Sequence, residues 1–548
     1  MYDYIIVGAG SAGCVLAARL SEDEDVNVLL IEAGPPDTLD NIHIPLGVAA
    51  LARSAVDWEM WTGHEPHCDG RRLYLPRGRT LGGSSSTNAM VYIRGNRADY
   101  DGWRDAGCDG WGYDDLLPYF KRSEDNERGA SEHHGAGGPL SVSDGRHENP
   151  MMDAVVAAGI QAGLPANDDF NAGTQDGVGR YQLTQRDGRR CSASVAYLHP
   201  ALARPNLTVE CNVHVARVVF DGLRAIGVEG SRLGESLRFE CEREVILSGG
   251  TYNSPQLLML SGIGPAEHLV SRLIMPIANR PMVGRNLQDH VQVWGLWQSD
   301  EPVSLASAMA PENVEANLVR FETQGAGPLT SNMAEVGGFA KTNEALTEPD
   351  LQLHAIPGIL SEDPPFGQSA HGISIGACLL TPRSRGEVFL ASPEPTAKPH
   401  IMHRYFADEE DMRRMEAAVA LVMEIARQDA LAPYCSRPEQ LPVTGDGHVR
   451  AFIRRHAQTL YHPVGTCAMG AGDDAVVDTD LRVRGVEGLR VVDASVMPAV
   501  PRGNTNAPTI AIAERASDLI RGRKPLGRSV AAPEAATARP HHPDGVGV

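Results

Sequence analysis

A glycine-rich segment near the start of the chain has the residue types and spacing of a phosphate-binding turn. The segment Gly8-Ala9-Gly10-Ser11-Ala12-Gly13 follows an apolar run and opens a helical pattern. The first glycine allows a tight turn, the second lets the backbone approach a diphosphate, and the third lets helix and strand pack closely. Glu32 ends the next apolar run, where a carboxylate can accept hydrogen bonds from a ribose 2′-hydroxyl. The segment predicts dinucleotide binding but does not separate FAD from NAD.

A second glycine-rich segment, Gly78 to Asn88, is suited to wrapping a polar cofactor. It contains two adjacent glycines followed by three serines, Thr87 and Asn88. Such a backbone offers free N–H groups and small hydroxyls. A flexible surface linker is the alternative interpretation. The apolar segment Ala89-Met90-Val91-Tyr92-Ile93 follows at once, which favours a buried loop.

The elements that must position these loops are spread along the chain. The patterns predict strands at residues 4–7, 26–31, 207–220, 244–248 and 489–492, and helices at residues 11–21 and 508–521. Each piece resembles part of a nucleotide-binding sheet with parallel crossovers. We therefore predict an α/β fold (α+β overall) with a Rossmann-like domain that is built from discontinuous segments.

The sequence pattern changes between about residues 291 and 450. Proline and glycine interrupt the segments, Leu351-Gln352-Leu353-His354 alternates, and residues 408–428 have a helical pattern. These features predict a second domain with an antiparallel sheet flanked by helices. From Gly522 the chain is rich in Ala, Pro, Gly and Arg, so we expect a disordered tail over residues 522–548.

Several motifs in order resemble the glucose–methanol–choline (GMC) oxidoreductases, and most of all their choline-dehydrogenase-like branch. The resemblance covers residues 2 to about 521. Besides the two segments above, it is carried by Gly250-Thr251-Tyr252-Asn253-Ser254-Pro255, Ser261-Gly262-Ile263-Gly264, Val283 to His290, Tyr461-His462-Pro463-Val464-Gly465-Thr466, Val492-Asp493-Ala494-Ser495 and Asn504-Thr505-Asn506.

The resemblance implies a domain division and a cofactor. Residues 1–290 and 455–521 would form the FAD-binding domain, with lid insertions around 36–75 and 120–190, and residues 291–454 the substrate-binding domain. It implies that FAD is bound by Gly8, Gly10, Ser11, Ala12, Gly13, Glu32, Ala33, Arg79, Gly82, Gly83, Ser84, Asn88, Ala89, Val215, Asp493, Ala494 and Asn506. Asn88 would lie by the isoalloxazine, and Val215 would contact the adenine edge. Some members attach flavin through a histidine where this chain has Thr87, so FAD is expected to be non-covalent.

The resemblance also implies His462 and Asn504 as the catalytic pair. Hydride leaves an alcohol carbon readily only while the hydroxyl proton is being removed, and imidazole suits that task at neutral pH. An asparagine amide can donate a hydrogen bond to the alkoxide-like oxygen. His354 is a candidate for contact with the substrate, whereas His290 and Gln288 are interpreted as structural.

The leading hypothesis is an FAD-dependent enzyme that oxidises the CH–OH group of a small-molecule alcohol, with O2 or another electron acceptor. An FAD-containing lyase of the hydroxynitrile type is one alternative. A nicotinamide-dependent dehydrogenase and a binding module without activity are two others. The substrate, the acceptor and the pathway stay open, and so does assembly into a homo-oligomer.

Composition limits the partners and the compartment. The formal net charge of −21 disfavours nucleic acid and anionic lipid as partners. No apolar run is long enough for a membrane helix, and the chain starts directly with a strand, so we expect a cytoplasmic protein. The nine cysteines lack Cys-x-x-Cys spacing, so neither disulfides nor a metal site is expected. The pairs His133-His134 and His541-His542 are interpreted as solvated loop residues.

Overall fold

The computed structural model describes residues 1–362, 365–368, 370–442 and 447–527. Two seven-stranded sheets dominate it. Their strands in chain order are β1 Tyr2–Val7, β2 Val28–Ile31, β3 Gly177–Arg180, β4 Leu207–Glu210, β5 His214–Asp221, β6 Arg224–Arg232, β7 Glu235–Leu247, β8 Val291–Gln298, β9 Val336–Ala340, β10 Leu351–Ile356, β11 Gly372–Leu379, β12 Arg437–Gln440, β13 Gln458–Thr459 and β14 Leu489–Val491.

Nine α-helices of eight or more residues lie within the described ranges. They are α1 Ser11–Leu20, α2 Arg97–Asp105, α3 Tyr113–Ser123, α4 Pro150–Gln161, α5 Gly250–Leu260, α6 Pro311–Gln324, α7 Glu409–Ala426, α8 His448–His456 and α9 Asn506–Ile520. Shorter helices and two-stranded ribbons connect them. The expected tail falls mostly on residues outside the described ranges, as does the pair His541-His542.

The first sheet has the parallel core that the sequence predicts. Its strands run in the order β4-β2-β1-β7, and β14 pairs with the other side of β7, all in parallel. Strands β5 and β6 extend it as an antiparallel meander. Parallel strands are covered on both faces, which is why β1 and β2 are continuous apolar runs. Helices α1 and α9 contribute buried residues to the same core.

The second sheet is antiparallel, as predicted, and its two faces differ. The order is β12-β8-β11-β10-β9-β3, with β13 paired to β8. Leu351, Leu353 and Ala355 belong to an apolar core that includes α7. Because side chains alternate along a strand, Gln352 and His354 lie on the opposite face. That polar face is buried as well, so the Leu-Gln-Leu-His alternation does not mark a solvent-exposed surface.

The second sheet also takes strands from outside the 291–454 range. Strand β3 pairs with β9, and β13 pairs with β8. Helix α4 buries Met151 and Met152 in the core of this sheet. Residues 150–180 thus pack with the second sheet although they fall in the stretch predicted as a lid insertion of the first domain. The domain bounds themselves stay a prediction.

The prediction that His134 is a solvated loop residue is wrong. Its side chain is buried, with Nδ1 2.9 Å from Glu124 and Nε2 2.8 Å from Asp169. Two hydrogen bonds to carboxylates raise its pKa to about 9, against the lowering effect of burial. His133 is half-buried, and its backbone carbonyl accepts a hydrogen bond from the buried Arg94. The pair therefore belongs to a structural ion network.

Over the described residues, no helix combines the length and the apolar character required to cross a bilayer. None of the nine cysteines, all of which lie in the described ranges, forms a disulfide bond. No group of three or more His, Cys, Asp or Glu side chains in the described part of the chain is arranged to hold a metal ion.

Candidate active site

One cavity of about 940 Å³ is lined by both sheets. Its volume is at the upper end of the range for small-molecule and cofactor sites. It brings together most of the predicted site residues, namely Gly8, Gly10, Ser11, Ala12, Glu32, Ala33, Arg79, Gly83, Ser84, Asn88, Ala89, Val215, His354, His462, Asp493, Ala494, Asn504 and Asn506. These residues are far apart in the sequence, so the fold itself assembles the site.

The glycine-rich turn leaves space where a diphosphate is expected. A Cβ on Gly10 would meet nothing closer than a backbone oxygen at 4.0 Å, and α1 begins at Ser11 with no side-chain cap. The first N–H groups of this helix are therefore open to an anion. Ser11 Oγ donates a hydrogen bond of 2.7 Å to Asn506 Oδ1, which joins the start of α1 to the start of α9.

Two predicted cofactor residues, Gly13 and Gly82, do not line the cavity. A Cβ on Gly13 would lie 1.9 Å from the carbonyl oxygen of Gly8. Gly82 has φ +84°, and its N–H donates a 2.7 Å hydrogen bond to the carbonyl of Ala9. Both glycines allow close backbone packing behind the cavity wall. Their absence from the wall follows from that packing role.

Glu32 is buried at the other end of the turn. Its carboxylate accepts hydrogen bonds of 2.9 Å from the N–H groups of Ala9 and Gly34. Burial nevertheless raises its pKa to about 7, so the carboxylate has fewer polar partners than it would have in water. Hydroxyl groups of a bound ribose would supply further donors. This deficit is the observation that fits a dinucleotide at this place.

The 83–88 loop is fixed by a buried arginine whose role was not predicted from the sequence. Arg190 donates to the carbonyls of Ser85 and Asn88 at 3.2 and 2.7 Å and to Asn88 Oδ1 at 2.9 Å. Burial lowers its pKa to about 9. At neutral pH it stays protonated, and it holds Asn88 on the cavity wall. Nothing in its local sequence indicates this contact, which spans about 100 residues.

His462 and Asn504 lie side by side on the cavity wall. Asn504 Nδ2 is 3.2 Å from His462 Nε2, and Asn504 Oδ1 accepts a 3.2 Å hydrogen bond from Gln352 Nε2. The amide is therefore held with its NH2 group towards the imidazole. Gln352 lies on β10 in the second sheet, and the sequence predicted no role for it.

The hydrogen bonds of His290 fix the tautomer of His462. His290 Nε2 is 3.1 Å from the carbonyl oxygen of Leu380, which can only accept, so Nε2 carries the proton. In a neutral His290 the other nitrogen, Nδ1, is then an acceptor, and it lies 3.0 Å from His462 Nδ1. His462 must donate from Nδ1. Its Nε2 is left unprotonated, and the lone pair of Nε2 accepts the hydrogen bond from the Asn504 amide in the cavity.

The backbone before His462 is held on both sides. Asp289 accepts a 2.8 Å hydrogen bond from the N–H of His462, and it also accepts from the hydroxyls of Thr459 and Tyr405. Arg77 donates a 2.8 Å bond to the carbonyl of Tyr461, a residue with φ +69°. These contacts stabilise a backbone conformation that is rare for a non-glycine residue.

The electrostatics keep His462 neutral. Burial, together with His290, His354 and Arg77, lowers the pKa of His462 well below its usual value of 6.5. Burial also lowers the pKa of His290 to about 4 and that of His354 to about 3. The imidazole of His462 is therefore a free base throughout the neutral range. Protonation of His462 is therefore shifted to acid pH.

In this fold, a dinucleotide-type turn and a histidine–asparagine pair share one cavity. Comparison with known proteins shows which family has this combination. Sequence profiles described as GMC oxidoreductase match residues 2–292 and 382–513. Alcohol dehydrogenase (acceptor) of Pseudomonas putida is 44% identical over 529 residues, 95% of this chain and 96% of its own. Mitochondrial choline dehydrogenase of Homo sapiens is 44% identical over 539 residues, 96% of this chain and 90% of its own.

A solved structure agrees with these sequence relatives. Pyridoxine 4-oxidase from Mesorbium loti has a TM-score of 0.87 and 34% identity, and covers 96% of this chain and 100% of its own. The chain belongs to the GMC oxidoreductase family. The predicted family, the α/β fold, FAD as cofactor and an enzyme that acts on CH–OH donors are thereby confirmed. The nicotinamide-dependent alternative is wrong.

Proposed function

We propose that the enzyme oxidises an alcohol to its carbonyl compound with His462 as the general base and Asn504 as its hydrogen-bond partner. The observation that carries this assignment is the fixed tautomer of His462, whose Nε2 lone pair faces Asn504 in the cavity. A base in this state can accept the hydroxyl proton as soon as an alcohol is within hydrogen-bond reach.

The residues of the chain divide the work. His462 Nε2 takes the hydroxyl proton, and the Asn504 amide donates a hydrogen bond to the oxygen as negative charge develops there. Gln352 and His290 keep these two groups oriented. Bound FAD supplies the hydride acceptor, and that redox chemistry is its own. The second sheet forms the opposite wall of the site.

For the cofactor we propose that the Gly8–Ala12 turn and the start of α1 hold the diphosphate and that Glu32 and Val215 lie at the adenosine end. Arg79, the 83–89 loop, Asp493-Ala494 and Asn506 would hold the remainder. Gly13 and Gly82 act by packing behind the wall. Thr87 lines the cavity and offers no atom for flavin attachment, so acid denaturation should release intact FAD.

The experiment that tests this function compares two products of one anaerobic reaction. An alcohol substrate should bleach the flavin absorbance, and one molecule of the carbonyl compound should form for each flavin that is reduced. Carbonyl formation from a hydroxynitrile with unchanged flavin absorbance would instead support the lyase alternative. A cytoplasmic location stays a prediction, and the electron acceptor and assembly into a homo-oligomer stay open.

A further inference from the structure

The cavity-facing side of the second sheet is organised in rows across β8, β11 and β10. Strand register sets these rows, because Gln292 pairs with Cys378 and Cys378 pairs with Gln352, with steps of two residues along each strand. From the catalytic pair outwards the rows are Gln292, Cys378 and Gln352; then Trp294, Gly376 and His354; then Leu296, Ser374 and Ile356.

Polarity falls from the first row to the third. Gln352 contacts Asn504, so the first row lies beside the catalytic pair. Trp294 lies flat over Gly376, since a Cβ on that glycine would come within 2.6 Å of the indole ring. Leu296 and Ile356 belong to a buried apolar cluster with Met333. The wall therefore becomes more apolar with distance from the catalytic pair, with His354 as the polar side chain of the second row.

The polar groups of the first row are neutral. Gln292 Nε2 donates a 3.0 Å hydrogen bond to the carbonyl of Thr459, while its Oε1 is buried and has no partner among the described residues. Asn332 Oδ1, which belongs to another cavity-lining residue, is buried without a partner as well. Both oxygens are acceptors for a hydroxyl group. Neither supplies the negative charge that a cation requires.

The charges that do reach the cavity disfavour a cation. The described residues of the three rows include no Asp or Glu. Four carboxylates line the cavity elsewhere. Glu32 and Asp493 are held at the first sheet, Asp57 is bonded to Tyr74 and to backbone N–H groups, and Glu59 is exposed to solvent. Arg77 lines the cavity close enough to His462 to lower its pKa. Arg77 also donates a hydrogen bond to the carbonyl of Tyr461, so a cationic side chain lies beside the base.

We propose, on the basis of the proposed function, that the substrate is an uncharged alcohol with an apolar body, and that quaternary ammonium alcohols are excluded. The carbinol lies at His462 and Asn504, and the body extends over Trp294 towards Leu296 and Ile356. A quaternary ammonium group needs a carboxylate or several aromatic faces to replace its water. Trp294 is the one Trp, Tyr or Phe residue of the three rows.

The test uses two alcohols of the same shape. Choline has a positively charged nitrogen at the branch point, whereas 3,3-dimethylbutan-1-ol has an uncharged carbon there and is otherwise the same. With the purified FAD-containing enzyme and a dye acceptor, kcat/KM for the neutral alcohol should exceed that for choline by about 10²-fold or more, the usual effect of an uncompensated buried charge. Equal values, or a preference for choline, would overturn the substrate class and leave the proposed function intact.

A matched pair of variants separates charge from polarity. Leu296→Asp adds a carboxylate to the apolar row, and Leu296→Asn adds a polar group of the same size without charge. The ratio of kcat/KM for 3,3-dimethylbutan-1-ol to kcat/KM for choline should be at least tenfold lower in Leu296→Asp than in Leu296→Asn. The FAD content of each variant checks that it folds. The same ratio in both variants would contradict the electrostatic argument. Failure of every alcohol tested, choline included, to bleach the flavin would refute the proposed function itself.

Discussion

The first sheet and the second sheet supply opposite walls of one cavity, and they do so with different parts of the chain. On the first sheet the wall is mainly backbone, because a turn, a helix start and closely packed glycines provide the space and the N–H groups. On the second sheet the wall consists of side chains from alternate positions of separate strands. A cavity wall made of backbone tolerates few changes of shape. In a wall made of side chains, a single substitution can change which ligand binds.

The largest effect that this comparison predicts is at Gly13. Gly13→Ala would place a Cβ against the Gly8 carbonyl, so we expect a loss of about 3 kcal/mol or more in the free energy of unfolding. Gly10→Ala is the matched control. Gly10 has a φ of −75° and open space, so the FAD-free variant should keep its stability but lose FAD affinity. Thermal unfolding and FAD content check both; equal destabilisation would contradict the separate roles.

The same difference explains what could be predicted from the sequence. Gly8 to Glu32 is one short stretch whose spacing carries its function, so the dinucleotide site, its strands and its helix were predictable. His354 lines the cavity on the face that strand alternation gives it, and its contact with a substrate stays a prediction. The role of Gln352 could not be predicted, because it depends on a contact with Asn504 across 152 residues. His134 was misjudged because its carboxylate partners, 10 and 35 residues away, are not at a spacing that indicates contact in the sequence.

Asn504→Ala should slow the reduction of the flavin by substrate by about 10²–10³-fold, the usual effect of losing one donor to a developing oxyanion. Its hydrogen bond strengthens only as charge develops, so the apparent substrate affinity should change much less. Anaerobic stopped-flow kinetics over a range of substrate concentrations measure both quantities. A variant in which affinity falls and the limiting rate does not would assign Asn504 to binding alone.

His290 is a positioning residue, and its replacement should have a smaller effect. His290→Phe removes the acceptor for His462 Nδ1 and frees the imidazole to change tautomer, so we expect flavin reduction to slow by about 10–100-fold. His290→Gln can still accept at one end and donate to the Leu380 carbonyl at the other, and it should restore most of the rate. No difference between Phe and Gln would contradict the tautomer argument.

The smallest effect concerns pH. A histidine whose pKa is lowered is neutral at every pH above its usual value of 6.5, so the limiting rate of flavin reduction should be constant from there to alkaline pH. The rate should fall only below pH 6.5, as Nε2 of His462 is protonated. Stopped-flow measurements across pH check this. A rate that still rises between pH 7 and 9 would show that another group limits proton transfer.

The central claim is that His462 is the base, and replacing it gives the most direct test. His462→Ala should fold and retain FAD, because the groups that we assign to the cofactor lie mainly on the first sheet. Its flavin should be reduced by substrate about 10²–10⁴-fold more slowly than in the unchanged enzyme, measured anaerobically by stopped flow. His354→Ala removes a second buried imidazole from the same cavity and should lose far less. A His462→Ala variant with full FAD and the rate of the unchanged enzyme would contradict the assignment.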